Sequence, residues 1–395
     1  MGYQSGRNIG VSYKPETVFG QLPGASDAKA FRPNSGTLTL GKEPIRSNEI
    51  RRDGMTTRGR HGSRTVTGQY AGDLSVGTFD DLLEAVFRGT FSTALTLTEA
   101  DFTSLTTTEN TIEAASGDWL ALGLRVGDVI RMADHASAAN NGRNLRVVDV
   151  SATVITVAET LTINAVADTD VTVSRPKKLI QGLVPRSFTV EEHEADIDGS
   201  EVFKGVRVGS VQIQMQPNGM CVLTFGMVGQ DMEVMTDVSS PYFTDPEETV
   251  SVGLTAVEAK ILLGSEEVLD ISSIDLTLSL NASGVPVVGS VLTPDVFTNL
   301  ATVEATITAL KQDVARSEQF LDEDVLSLHL LFEEQNGAPA DFCSFFLGNF
   351  TLATATKGEL GQDNARTQSF TLLTGVDERG GAHDRTMIKY QTSAA

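Results

Sequence analysis

The 395-residue sequence predicts a mainly β protein of more than one domain. Three observations predict it. Apolar residues recur at every second position through several stretches, the period of a strand with one buried face. Turn signals built from Pro, Asn and Gly close those stretches. A single segment has the apolar spacing of a convincing helix. Hydrophobic residues are 40% of the chain and charged residues 21%, a composition that buries a core and differs from that of a disordered chain.

Along the chain, residues 1–30 are assigned to an N-terminal arm. Leu38-Thr39-Leu40 then begins a short strand. In the helix, Phe79, Leu82, Leu83, Val86 and Phe87 stand at i, i+3, i+4, i+7 and i+8, one stripe for packing on a sheet. Thr78 is its expected N-cap, and Asp80 and Asp81 complement the positive end of the dipole. Arg88 complements the negative end, and Gly89 is expected to stop the helix at positive φ. Residues 95–180 are Thr-rich, with strands expected at 126–130 and 145–150 around a turn at Asn140-Asn141-Gly142. They predict a small inserted β-barrel-like domain, from which 177–182 return the chain.

Beyond the insert, Val211, Ile213 and Met215 alternate with Gln212 and Gln214, and Leu223, Phe225 and Met227 share a face. Between them Pro217-Asn218-Gly219 predicts a hairpin turn, with Asn218 and Gly219 both expected at positive φ. Ile274, Leu276, Leu278 and Leu280 alternate with Asp275, Thr277 and Ser279 up to a turn over Asn281-Ala282-Ser283-Gly284. A last alternation runs from Val325 through Leu328, Leu330 and Phe332 to a turn at Asn336-Gly337.

Two units of one kind are expected. The first comprises 31–94 and 181–245, interrupted by the insert at 95–180. The second comprises 246–395, after a linker rich in Pro and acidic residues at 241–248. Leu38-Thr39-Leu40-Gly41-Lys42-Glu43-Pro44-Ile45 resembles Ile261-Leu262-Leu263-Gly264-Ser265-Glu266-Glu267-Val268, and the two units match in length once the insert is removed.

Charge is uneven. The net charge is −22 with a pI near 4.6, yet residues 1–70 hold 11 basic and 5 acidic residues, a local +6 that leaves −28 on the remainder. Arg46, Arg51, Arg52, Arg58, Arg60 and Arg64 form the basic cluster, expected to dock on an acidic surface of another copy. The overall acidity argues against a sequence-reading nucleic-acid binder. No run of about 18 apolar residues predicts a membrane span, and the first residues lack the pattern of a secretory leader. Cys221 and Cys343 fit a reducing cytoplasm better than a disulfide framework.

Chemistry is sparse. The five His (His61, His135, His193, His329, His383) have no zinc-motif spacing, and no nucleophile elbow, Walker loop or dinucleotide fingerprint occurs. The segment from Asp196 to Glu201 begins like a calcium loop but lacks the distal Glu, and is read as an acidic loop. Glu191, Glu192 and Glu194 beside His193 are read as an exposed acidic strand edge. No catalytic residue, cofactor or metal is expected.

Three stretches carry a resemblance. They are Ile45-Arg46-Ser47-Asn48-Glu49-Ile50-Arg51-Arg52-Asp53-Gly54, then Val66-Thr67-Gly68, then the run from Asp73 through Ser75-Val76-Gly77-Thr78 and the helix to Phe91. Together they resemble the tail tube (major tail) proteins of long non-contractile-tailed bacteriophages. Arg186-Ser187-Phe188-Thr189-Val190-Glu191-Glu192 and Phe203-Lys204-Gly205-Val206 resemble later parts of that family's chain. The match is specific over 40–95 and 182–230 and looser elsewhere.

The resemblance implies tail-tube β-sandwich or half-barrel domains with a flanking helix, here duplicated. It implies a structural virion protein, not an enzyme, assembled in the host cytoplasm into stacked rings that form the hollow tail. Its partners would be itself, a tape-measure protein in the lumen and the tail-tip and terminator proteins. Genome DNA would pass through without specific binding, repelled by an acidic lumen. Two tube domains per chain imply a trimeric, pseudo-hexameric ring in preference to a hexamer. Arg46 to Arg64, Asn218, Gly219, Asn281 and Gly284 are then candidates for contacts between subunits or rings. The alternative reading is a β-rich receptor- or glycan-binding surface module.

Overall fold

The computed structural model describes residues 3–335, 337–360 and 365–394. Among them a 17-stranded sheet system forms the body, and an eight-stranded sheet forms the insert. Sixteen strands of the body fall into two series of eight. The first series is β1 (Ile9–Pro15), β2 (Lys29–Phe31), β3 (Ser35–Ile45), β4 (Arg60–Asp73), β5 (Phe188–Glu194), β6 (Gly199–Met215), β7 (Val222–Gly229) and β8 (Asp231–Thr236). The second is β9 (Ala259–Leu263), β10 (Glu266–Glu267), β11 (Ile271–Ser279), β12 (Thr302–Leu310), β13 (Leu326–Glu333), β14 (Phe342–Lys357), β15 (Thr367–Thr374) and β16 (Lys389–Thr392). Helix α1 (Asp80–Phe87) follows β4, and α2 (Ala315–Leu321) follows β12.

Every pairing within the first series recurs in the second. β1 pairs with β2 and β5 as β9 pairs with β10 and β13. β4 pairs with β3 and β7 as β12 pairs with β11 and β15. β6 pairs with β5, β7 and β8 as β14 pairs with β13, β15 and β16. Irregularities recur too. The β6–β7 register shifts between Val208 and Ser210, and the β14–β15 register between Leu352 and Thr354. The body is therefore a duplication, joined inside the chain where β6 pairs with β11. One continuous apolar core spans both copies.

The duplication corrects the sequence match. Tyr70 pairs with Phe225 as Ile307 pairs with Phe370, which makes Gly36 the counterpart of Ile274 and Leu38-Thr39-Leu40 the counterpart of Leu276-Thr277-Leu278. Residues 261–263 lie in β9, the counterpart of β1. The N-terminal arm is also corrected: β1 pairs with β5 along all seven of its residues, because Val11, Tyr13 and Phe31 have an apolar core to enter.

Local structure departs from expectation at several ends. The α1 stripe is buried, Phe79 included, but Phe79 occupies the N-cap and no side chain caps the helix. Thr78 is buried and bonds Ser75 instead. Arg88, not Gly89, takes the left-handed conformation (φ 51°). Gly89 meets a different need, since a Cβ there would lie 2.1 Å from the Ile180 carbonyl oxygen. At 216–219 only Asn218 has positive φ (58°), and the Gly219 N–H donates to Gln216. With Pro217 first and Asn218 second, this is a type II pattern rather than a two-residue hairpin turn. Asn281–Gly284 is no tight turn: Gly284 pairs with Val296 in a small two-stranded excursion between β11 and β12. Gly337 has positive φ, whereas Asn336 lies outside the described residues.

The insert folds around a second apolar cluster that includes Trp119, Phe102, Ile130 and Ile155 and takes in Phe346 of β14. Its strands run from Leu95–Leu97 to Thr172–Arg175, and Lys178–Ile180 already pairs with β16. Residues 126–128 are a turn, not part of a strand; the strand begins at Val129. That turn carries Asp128, which is fully buried and ion-paired to Lys178 (3.1 Å) and Lys389 (2.8 Å).

Candidate functional site

In this fold the free sheet edges are the candidate sites. Eight strands run edge to edge as β3-β4-β7-β6-β11-β12-β15-β14. Among the described residues β3 pairs with β4 alone, and residues 354–357 of β14 with β15 alone. Their outer edges are open, and an open strand edge is a template for another strand. The inner strands alternate Leu, Ile, Val, Phe and Ala toward the core with mostly Thr and Ser away from it, so the register of any added strand is fixed by which face is buried.

The outward face of these eight strands is mostly hydroxyl and amide. It carries Thr37, Thr39, Thr67, Gln69, Ser210, Gln212, Gln214, Thr277, Thr306 and Thr371 at ladder positions. Its acids are Asp275 and Glu304, with Asp73 at the margin. Gln212 and Gln214 both donate to Asp275, at 2.8–3.2 Å. No Lys or Arg occupies this face among the described ladder residues between the bulges and the ends of these strands. This face is therefore mildly acidic, with two or three carboxylates and no cation.

The two ends differ. At one end lie the loop 46–59 between β3 and β4 and its counterpart 280–301 between β11 and β12. The structure thus brings the basic cluster and the Asn281 and Gly284 candidates to the same end, and the Arg64 N–H donates to the Val291 carbonyl. Arg46, Arg52, Arg58 and Arg60 are exposed. Arg51 is bound locally, to Asp53 at 2.7 Å and Glu49 at 3.8 Å, and the Asp53 hydrogen bond raises its pKa. Arg64 is committed within the chain to Asp231 (3.0 Å). The counterpart loop is apolar, exposing Val285, Val287, Val288 and Val291. Asn218 and Gly219 lie at the opposite end, in the β6–β7 turn.

The acidic strand edge is also revised. Glu191 is 1% exposed and accepts the N–H groups of Tyr242 (2.6 Å) and Phe243 (2.9 Å). Glu192 faces the core side, accepting from Tyr70 Oη and from the Leu38 N–H (2.9 Å). Glu201, opposite Glu192, is raised by burial and by the charges of Glu192 and Glu194. Sequence reading missed this site because its members, Leu38, Tyr70, Glu192 and Glu201, belong to four strands, β3 to β6, with the whole insert between β4 and β5. Asp196 accepts from the Ser5 N–H and Asn8 Nδ2, which hold its carboxyl below the usual range. It belongs to the hairpin turn between β5 and β6, whose Asp198 has φ 52°. Cys221 and Cys343 are buried, reduced thiols, and burial pushes the Cys343 thiol up to about 12. Among the described residues no group of three or more His, Cys, Asp or Glu could hold a metal, and no helix is long and apolar enough to cross a membrane.

A family model described as "Phage tail tube protein" matches residues 6–372. No curated protein matches the chain.

Proposed function

Because the chain belongs to the phage tail tube protein family, a family of structural tail components, we propose that three copies close into a ring and that stacked rings form the hollow tube of a virion tail. The observation that carries this reading is the β6–β11 pairing inside the chain. It is a junction between two tube domains, and the free edges of β14 and β3 are the counterparts of its two sides. Joining β14 of one copy to β3 of the next repeats that junction, and the third copy closes the circle.

Magnitudes favour three copies. One chain supplies eight strands, and an eight-stranded barrel is just wide enough to be filled by side chains. Twenty-four strands about 4.8 Å apart and tilted by about 40° make a ring roughly 48 Å across its backbone, wide enough for a DNA duplex or a tape-measure protein. The hydroxyl and amide face would line that lumen. With no cation there to grip phosphate, DNA slides through during ejection. The basic loop 46–59 and the apolar loop 280–301 would meet the next ring. The tail-tip and terminator proteins would cap the stack, and assembly would take place in the host cytoplasm.

Disulfide trapping tests the reading. The internal register, Gln212 opposite Thr277, transfers to Thr356 opposite Thr39 of the next copy. Such a pair lies within disulfide reach. The chain carrying Thr39→Cys and Thr356→Cys, oxidised after assembly, is expected to give linked dimers and trimers and nothing larger. A ladder reaching six copies would speak for a hexamer, and the absence of any linkage in assembled tubes would refute the junction.

A further inference from the structure

Resting on that ring, we propose that the junction between copies is an ion-pair lock, in which Lys357 of one copy enters the three-carboxylate cluster Glu192, Glu194 and Glu201 of the next. The inference comes from comparing the two halves position by position. Counting from the shared bulge, Ser210 corresponds to Thr354 and Ile213 to Lys357. Ile213 stands opposite Leu276 at the internal junction, so Lys357 stands opposite Leu38 at the external one.

Around Leu38 the two copies differ in kind. Glu192 pairs with Glu201 in β5–β6 as Leu330 pairs with Phe345 in β13–β14, and Glu194 occupies the place of Phe332. Ile213, Leu276, Leu330, Phe332 and Phe345 all lie in the continuous apolar core. The same positions at the open edges hold one cation and three anions. Lys357 points to the core side, because its ladder partner Gln368 is buried there, yet it is exposed in the single chain. Among the described residues it has no ion pair. The carboxylates are crowded: burial and the charges of its two neighbours raise Glu201.

Glu192 then has two tasks. In the single copy its carboxylate accepts the outward N–H of Leu38 and guards the open edge. When β14 of the next copy adds, the Lys357 carbonyl takes that N–H, as an antiparallel ladder requires. Glu192 is released and, with Glu194 and Glu201, accepts from the Lys357 ammonium. Like-with-like pairing, β3 on β3 or β14 on β14, brings like charges together. Only the head-to-tail order satisfies both sides, and a head-to-tail contact generates a ring.

Charge reversal and rescue test it, with oligomer mass and negative-stain images as readouts. Lys357→Glu is expected to keep the wild-type thermal unfolding, since the residue is exposed, and to weaken ring formation by at least about tenfold. Adding Glu201→Lys, or Glu194→Lys where the first does not fold, is expected to restore rings. Rings formed by Lys357→Glu as readily as by the wild type would overturn the lock. So would failure of both rescues in folded protein. If the wild-type chain forms no closed ring at all, the ring reading itself fails, which these arms separate from failure of the lock.

Discussion

Asp128 shows how much a single residue holds. It joins the insert to the body through Lys178 and Lys389, with Arg175 at 3.7 Å, and Asp384 shares both lysines. Burial alone would raise the Asp128 and Asp384 carboxyls, but Lys389 and Lys178 outweigh it and hold both below the usual range. A carboxyl depressed in the folded state stabilises it fully above its unfolded pKa of about 3.9 and loses that contribution as pH falls through the folded value. Asp128→Ala leaves two buried lysines short of a counter-charge and is expected to cost about 3–5 kcal/mol, read by urea denaturation at pH 7. The difference from wild type should shrink as pH drops below about 4; a constant difference would contradict the assignment. The sequence could not disclose this cluster, because Lys389 lies 261 positions from Asp128. The glutamates of β5 misled for a similar reason: alternation fixed their opposite faces, but not which face would meet Tyr70.

Elements were legible where local signals agreed. The α1 stripe and the alternation in β6, β7 and β11 read directly from sequence, since period and burial coincide there. Helix α2 did not: Ala-Arg-Ser-Glu-Gln-Phe-Leu has no apolar stripe, and none of its residues is buried. The duplication was readable only through a wrong match, because the two halves kept their ladders and bulges while exchanging apolar for charged residues at the junction. At this scale the loop 46–59 is the element to perturb. Reversing charge at Arg51 and Arg52 is expected to leave rings intact and shorten tubes severalfold at low salt, measured by electron microscopy. Tubes of wild-type length would remove that loop from the contact between rings.

For the whole molecule, the net charge of −22 is distributed by task. Basic residues gather at one end, the outward face of the eight strands carries two or three carboxylates and no cation, and a carboxylate cluster sits beside one open edge while the other edge carries Lys357. Net charge was readable from composition; its division among surfaces depended on strand register. The family accounts for a structural tail component, and the ladder repeated within one chain is the feature on which the proposed three-copy ring rests. All of this depends on three copies making the ring. Two-dimensional class averages viewed down the axis of assembled tubes test it most directly. Three-fold rings are expected, with two similar tube domains and one insert per copy, six domains in all around an open lumen. Rings with six inserts, or six full chains, would contradict it.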